Sequence, residues 1–309
     1  MELVIALIVT LVTAPILRRV AIRLGIVDHP GPLKTHHSPV PYLGGVAVFL
    51  GLLVGPIQAD RLELLVPYTL ALALGVVDDA RALTPRMRLG SEMVIGLTAA
   101  VVVPGPALVK LAIAVLVMIA LNAVNLLDGQ DGLAAGAVLV SAAAFAILGG
   151  DATTVGLALV GALAAFLVFN APPARMYLGD GGAYLLGTVL ATLPALTKHG
   201  STSWSIWIAT PLIIGLPLAD TAIAVLRRLL AHRPLFLGDR SHVYDQLVDR
   251  GWRVETSTAL CVVLQGGLAA LGVLAAGVDV DWALGITAVT AVGVIALAAM
   301  GGFLGRATD

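Results

Sequence analysis

Asn122-Ala-Val-Asn125-Leu-Leu-Asp128-Gly-Gln-Asp131-Gly-Leu133 is the stretch around which the rest of the chain is organised. It leaves one long apolar segment, near 107–125, and runs directly into another, near 133–149. Asn122, Asn125, Asp128 and Asp131 recur at every third position, so helical geometry sets neighbours on one face while it lasts. Gly129 and Gly132 then loosen the helix and let backbone approach a ligand. Two amides and two carboxylates at the mouth of an apolar helix are costly without polar partners. The stretch reads either as a polar turn between membrane helices or as a binding site at a membrane end.

Outward from it, the chain is apolar. Of its 309 residues, 59% are hydrophobic and 12% charged, against about 25% charged in a soluble domain. The net charge of −1 gives no basis for nucleic-acid binding, and none is expected. The single cysteine, Cys261, excludes an intramolecular disulfide. The 34 glycines suit helices that pack closely in lipid, and continuous apolar runs argue against the alternating segments of a β-barrel.

A bilayer crossing needs about 20 apolar residues, roughly 17–25. By that measure the sequence predicts an all-α integral membrane protein, a polytopic bundle of about 10–11 transmembrane helices forming a single domain over 1–309. The segments lie near 3–24, 42–59, 64–78, 89–104, 107–125, 133–149, 152–169, 182–197, 204–228, 257–277 and 283–304. The first is not expected to be a signal peptide, because Glu2 precedes it and Arg18, Arg19 and Arg23 follow. Fifteen of the 18 Lys and Arg residues fall on one side, all but Arg61, Lys110 and Lys198. That side is expected to be cytoplasmic, with the N-terminus outside and the C-terminus inside. Every polar cluster falls there too: 25–41, 78–88, 122–132, 170–181 and the one sizeable loop, 229–256. A one-sided face rich in both signs suggests an anionic, metal-bound substrate. A transporter is expected to carry its ionisable groups nearer the midplane.

Each cluster allows a plain and a chemical reading. Asp78-Asp79 is either a solvated helix end or a pair set beside a divalent cation, with Arg81, Arg86 and Arg88 close by in sequence. Asp180, among glycines at a helix start, is an N-cap or an oxygen ligand. Lys34 and His36 are membrane-end anchors or phosphate contacts. His242 is a solvated loop histidine or a diphosphate contact and proton carrier. Asp220 lies inside an apolar segment and is either a site residue or a partner for Arg227 or Arg228.

Taken in order, these residues resemble the polyprenyl-phosphate N-acetylhexosamine-1-phosphate transferase superfamily, from about Lys34 to Gly251. Lys34-x-His36 through Pro41-x-x-Gly44-Gly45 is similar to its first cytoplasmic loop, and Asp78-Asp79 to its aspartate pair. Asn122-x-x-Asn125-x-x-Asp128-Gly-x-Asp131-Gly-Leu133 is similar to its nucleotide motif. Asn170-x-Pro-Pro-Ala with Gly179-Asp180-x-Gly182 is similar to its metal-site loop, and Asp239-Arg240-x-His242 opens its histidine motif. The GlcNAc-1-phosphate branch is nearer, on Pro217-x-x-Asp220 and Asp239-Arg240. Two departures stand out. The family's His-x-His-His reads His242-Val-Tyr244-Asp245 here, and its Gly-Asp-x-Gly-Ser ends in Ala183.

The resemblance implies transfer of a sugar-1-phosphate, an N-acetylhexosamine-1-phosphate by preference, from a UDP-sugar to a polyprenyl phosphate such as undecaprenyl phosphate. The reaction would release UMP at the cytoplasmic face of the plasma membrane, for cell-wall or surface glycan synthesis. Mg²⁺ is implied, with Mn²⁺ as an alternative. Asp180 and Asp79 are its implied ligands, and Asp78, Asp79, Asp180 and His242 the implied catalytic set. Lys34, His36, Asn122, Asn125, Asp128, Asp131, Asn170 and Arg240 are the implied substrate contacts. A homodimer is compatible with this reading. An inactive or regulatory relative, suggested by Tyr244 and Asp245, and a membrane transporter are the alternatives.

Overall fold

The computed structural model describes residues 1–29, 39–81, 83–200, 202–234 and 241–305. In chain order the elements are α1 (Glu2–Leu24), the two-residue strands β1 (Val27–Asp28) and β2 (Val40–Pro41), α2 (Gly44–Leu52), α3 (Val54–Gln58), α4 (Leu65–Arg81) and α5 (Pro85–Val102). There follow α6 (Ala107–Leu127), α7 (Leu133–Ile147), α8 (Asp151–Asn170), α9 (Gly179–Leu196) and α10 (Trp204–Ile213). The chain ends with α11 (Gly215–Leu230), α12 (Val243–Asp249), α13 (Val254–Ala276) and α14 (Val280–Met300). The strands pair antiparallel, Val27 opposite Pro41 and Asp28 opposite Val40.

Local chemistry sets several of these boundaries. Thr84 caps α5, its Oγ1 accepting from the Met87 N–H at 3.4 Å, with Pro85 at the first helical position. Gly25 ends α1 in the left-handed conformation, φ 70°, where glycine pays no Cβ penalty. Ala6, Thr10 and Ala14 form a buried seam along α1, while Val4, Ile8, Val12 and Ile16 are exposed. On α14, Leu284, Val289, Val292 and Leu297 are exposed as well. Apolar faces of this extent suit hydrocarbon and not water.

All eleven apolar segments fold as helix, so the protein is a polytopic all-α membrane bundle. The segments are not equally built to cross a bilayer. Among the described residues five helices are long and apolar enough to do so, α1, α6, α8, α13 and α14, and the α10–α11 pair makes a sixth if taken as one span. The expected ten to eleven equivalent spans therefore resolve into five or six of full length and several shorter or more polar helices. α7 has 15 residues, α4 has 17, and α5 carries Arg86, Arg88 and Glu92 in its first half.

At the centre stands α9, where every residue from Gly181 to Leu196 is buried. It packs on α2, α4 and α6, and small residues let those backbones close in. A β-carbon on Gly187 would lie 2.4 Å from Leu121 Cα, and one on Gly45 at the same distance from Gly182 Cα. One on Gly75 of α4 would lie 2.2 Å from the Gly181 amide nitrogen. These approaches set the N-terminus of α9 against α2, α4 and the end of α6.

The span expected near 204–228 is helical but broken, with α10 and α11 meeting at 71° around Ile214. Pro217 is the cause. It has no N–H to give the Ile213 carbonyl one turn back, and bare backbone groups are costly away from water. Gln265 of α13, fully buried, takes their place. Its Nε2 donates to the Ile213 carbonyl at 2.7 Å and to Ser141 Oγ at 3.0 Å, and its Oε1 accepts from the Leu216 N–H at 2.7 Å. Gln265→Leu should orphan two backbone groups at once and lower the unfolding free energy in mixed micelles by roughly 2–4 kcal/mol. Ser141→Ala, which leaves both backbone bonds intact, should lower it by less than half as much.

Candidate functional site

Two turns and two helix ends meet beside the N-terminus of α9. The 128–132 turn is fastened to the 170–176 loop. Buried Asn170 accepts from the Gly132 N–H through Oδ1 at 3.2 Å and donates to the Met176 carbonyl through Nδ2 at 3.1 Å. Asp131 Oδ2 accepts from the Ala174 N–H at 2.8 Å. α13 braces the same turn, Thr258 Oγ1 donating to the Asp131 carbonyl at 3.0 Å and Gln130 Nε2 to Thr258 Oγ1 at 2.9 Å. Gly132, at φ 74°, makes the left-handed step into α7.

A second seam joins the start of α2 to that of α9. The Tyr177 N–H donates to the Pro41 carbonyl at 2.9 Å, the Gly44 N–H to the Tyr177 carbonyl at 3.0 Å and the Gly45 N–H to the Leu178 carbonyl at 2.9 Å. It brings the rings of Tyr42 and Tyr177 to 6.3 Å between centroids. Burial, with the negative charges of nearby carboxylates, raises both phenols above their ordinary range, so both stay neutral. Neither tyrosine stood out in the sequence.

Between these fastenings sit the acids. Asp180 opens α9, where free N–H groups favour negative charge. Asn125 Nδ2 donates to its Oδ1 at 2.8 Å, and its own N–H donates to Asp79 Oδ1 at 3.3 Å. Gly179 has φ 75°, and a β-carbon there would lie 2.9 Å from Asp79 Oδ2, so the turn needs glycine twice over. Asp128 follows the last residue of α6. Burial, then the negative charges of Asp180, Asp79 and Asp131, push its carboxyl well above the ordinary carboxylate range. A cavity of about 300 Å³, lined among others by Tyr42, Leu72, Val76, Leu178 and Gly182, opens beside Asp79.

The two members of the aspartate pair part company. Asp78 is buried and bound on both oxygens: Oδ1 accepts from the Leu83 N–H at 2.8 Å, and Oδ2 accepts from the Tyr184 hydroxyl at 3.0 Å. Arg88 Nε lies 2.5 Å from Oδ2, as a charge contact rather than an aligned hydrogen bond. Asp78 thus ties α4 to α5 and α9, while Asp79 faces the α9 turn. Asn122 is likewise set apart from Asn125. Its Nδ2 donates to Glu92 Oε2 at 2.9 Å and to the Met118 carbonyl at 2.8 Å, bonding α6 to α5.

His242 and Asp220 form a dyad. His242 Nδ1 lies 2.6 Å from Asp220 Oδ2, and the Val243 N–H donates to Asp220 Oδ1 at 2.8 Å. The intramembrane acid thus orients the histidine, and Arg227 reaches the Ser241 carbonyl in the same region. Lys34, His36 and Arg240 lie outside the described residues.

Among the described residues no three His, Cys, Asp or Glu side chains form a metal-holding group by themselves. Asp79 and Asp180 nevertheless supply hard oxygen donors side by side. Mg²⁺ is usually held by one or two carboxylates, completed by substrate phosphate and water, and this donor set fits it.

Asn125→Ala should lower kcat/KM at least a hundredfold, because Asp180 loses the donor that aims it. Asn122→Ala, three residues away, should stay within about threefold of wild type and instead lower the thermal midpoint. Steady-state kinetics and thermal unfolding of both variants check the contrast.

Known proteins resemble the chain over most of its length. Residues 62–198 match the model of glycosyl transferase family 4. The chain is 29% identical over 276 residues to the "Probable undecaprenyl-phosphate N-acetylglucosaminyl 1-phosphate transferase" of Bacillus subtilis, covering 80% of this chain and 76% of the relative. It is 26% identical to the decaprenyl-phosphate N-acetylglucosaminephosphotransferase of Mycobacterium tuberculosis, over 86% of this chain and 79% of that one. It is 33% identical to the phospho-N-acetylmuramoyl-pentapeptide-transferase of Moorella thermoacetica, over 63% and 74%. With its acids gathered at the start of α9 and its similarity reaching over most of these enzymes, the chain belongs to glycosyl transferase family 4.

Proposed function

We propose that this enzyme transfers a sugar-1-phosphate, an N-acetylhexosamine-1-phosphate by preference, from a UDP-sugar to a polyprenyl phosphate. UMP is released, and the product serves cell-wall or surface glycan synthesis. The observation that carries the reading is the meeting of Asn125, Asp128, Asp180 and Asp79 at the N-terminus of α9. A phosphate oxygen of the acceptor attacks the sugar-bearing phosphorus of the donor. The new P–O bond forms as the bond to UMP breaks, and the electron pair leaves on the UMP phosphate. The acceptor needs little help from a base, since a phosphate monoester has its second pKa near 6.

Catalysis of such transfer is mainly positioning and charge neutralisation. Asp180 and Asp79 would hold Mg²⁺, or Mn²⁺ in its place. The ion would neutralise charge on the phosphoryl oxygens. Asn125 fixes the Asp180 carboxylate, the α9 N-terminus favours anions, and Asp128 adds a further acid to the cluster. His242, whose Nδ1 meets Asp220, is the residue assigned to the donor diphosphate in this reading.

The acceptor tail needs an apolar surface open to lipid. A cavity of about 800 Å³ between α11, α13 and α14, lined by Ile223, Leu264, Leu268 and Leu297 with Asp220 at its wall, suits it. The basic residues gathered with the acids favour a site facing the cytoplasm in the plasma membrane. Undecaprenyl phosphate is the acceptor of choice, and a homodimer is compatible with the lipid-facing surface.

Purified protein in detergent, given undecaprenyl phosphate, Mg²⁺ and a panel of UDP-sugars, should release UMP with at least one sugar. Release should require the lipid, stop when EDTA removes the metal, and fall at least a thousandfold in Asp180→Asn. Movement of sugar nucleotide into vesicles without UMP release would sink the transferase reading in favour of a transporter.

A further inference from the structure

The sequence leaves its family pattern at Tyr244, and there the side chain is fully employed. The Tyr244 ring lies parallel to the His242 imidazole, 8° between planes and 5.6 Å between centroids, within the range of offset stacking. Its hydroxyl donates to the Leu126 carbonyl at 2.9 Å. That carbonyl is among the last four of α6, which the helix itself leaves unpaired. The ring also lies over Gly129, where a β-carbon would be 2.2 Å from the hydroxyl oxygen and 3.0 Å from Cζ. Gly129 is not at positive φ, so backbone conformation does not demand glycine there. The tyrosine does.

These contacts clamp His242 from two directions. Asp220 holds Nδ1 from α11, and Tyr244 covers the ring and reaches the turn that carries Asp128. Ser257 Oγ adds a bond at 3.4 Å to the Tyr244 carbonyl, so α13 braces the same residue.

We propose that Tyr244 is a positioning residue, which registers the His242 imidazole against the Asp128 turn and so sets the histidine's contact with the donor diphosphate. The contact with donor rests on the transferase reading; the clamp itself does not. Tyr244→Phe keeps the aromatic ring and loses the hydroxyl's bond to Leu126. The imidazole then keeps its Asp220 tether but loses its fixed distance from the Asp128 turn.

The test is a double-mutant cycle on Tyr244→Phe and His242→Ala. It reads kcat/KM for the UDP-sugar, the Kd of UDP by calorimetry, and the thermal midpoint. Tyr244→Phe should weaken UDP binding and lower kcat/KM about tenfold, with the KM of the lipid acceptor within twofold of wild type. His242→Ala should cost more, and adding Tyr244→Phe to it should cost nothing further. Losses that multiply, or wild-type kinetics in Tyr244→Phe, overturn the proposal. So does a lower thermal midpoint with unchanged activity per folded molecule.

A second cycle tests the clamp without chemistry. Gly129→Ala should lower the thermal midpoint in the wild-type background and leave it unchanged beside Tyr244→Ala; equal shifts in both overturn the contact. If UDP binds but no sugar yields UMP, the transferase reading fails while the UDP cycle still decides the role of Tyr244. Absence of UDP binding by the wild-type protein overturns both.

Discussion

A helix with no lipid face must be met on every side by protein, and α9 is such a helix. Its burial from Gly181 to Leu196 forces its neighbours to within backbone contact at Gly45, Gly75 and Gly187. Few polar groups join them, among them the Gly45 N–H to the Leu178 carbonyl and the Tyr184 hydroxyl to Asp78. The contacts rely on the absence of side chains and on dispersion summed over a close-packed surface. The result is a close-packed post whose N-terminal end gives the Asp180 N–H to Asp79. Everything chemical in the molecule is arranged around that end.

The polar residues there divide into those that hold and those that present. Asp78, Asn170 and Asp131 have oxygens accepting backbone N–H groups, and Asn122 spans two helices. Apart from the local bond from Leu83 to Asp78, they join segments thirty or more residues apart, Asp78 through Tyr184, so their removal loosens the frame. Asp79, Asp128 and Asp180 share one region, and burial first, then the charges of Asp180, Asp79 and Asp131, raises the carboxyl of Asp128. Like charges brought together in this way mark a candidate functional site.

Much of this was legible in the sequence. Long apolar runs located the helices because hydrocarbon tolerates little else, and the three-residue spacing of Asn125, Asp128 and Asp131 marked the turn beside α9. The spacing could not distinguish Asn122 from Asn125, since a helix face curves away and Asn122 meets Glu92 on another helix. Nor could it separate Asp78 from Asp79, adjacent residues that point about 100° apart into different surroundings. Tyr42, Tyr177 and Tyr184 carried no signal, because an isolated tyrosine gains meaning only from the partner its hydroxyl or ring finds. Asp220 was marked by being an acid in an apolar segment, and the fold gives it His242 as partner. The bend at Ile214 hid in plain composition: Pro217 announced a missing bond, but its replacement lies nearly fifty residues further on, in Gln265.

That replacement has a consequence for how the molecule is made. The bend between α10 and α11 draws its polar support from a helix not yet synthesised when the bend itself leaves the ribosome. A nascent chain ending at Arg253 carries the Ile213 carbonyl and the Leu216 amide without the side chain that later serves them. The wall of Asp220 and the loop bearing His242 hang from the same bend. The histidine half of the site is therefore completed last, while the acidic half around α9 comes mostly from helices already inserted, with α13 later adding the Thr258 brace on the Asp131 turn.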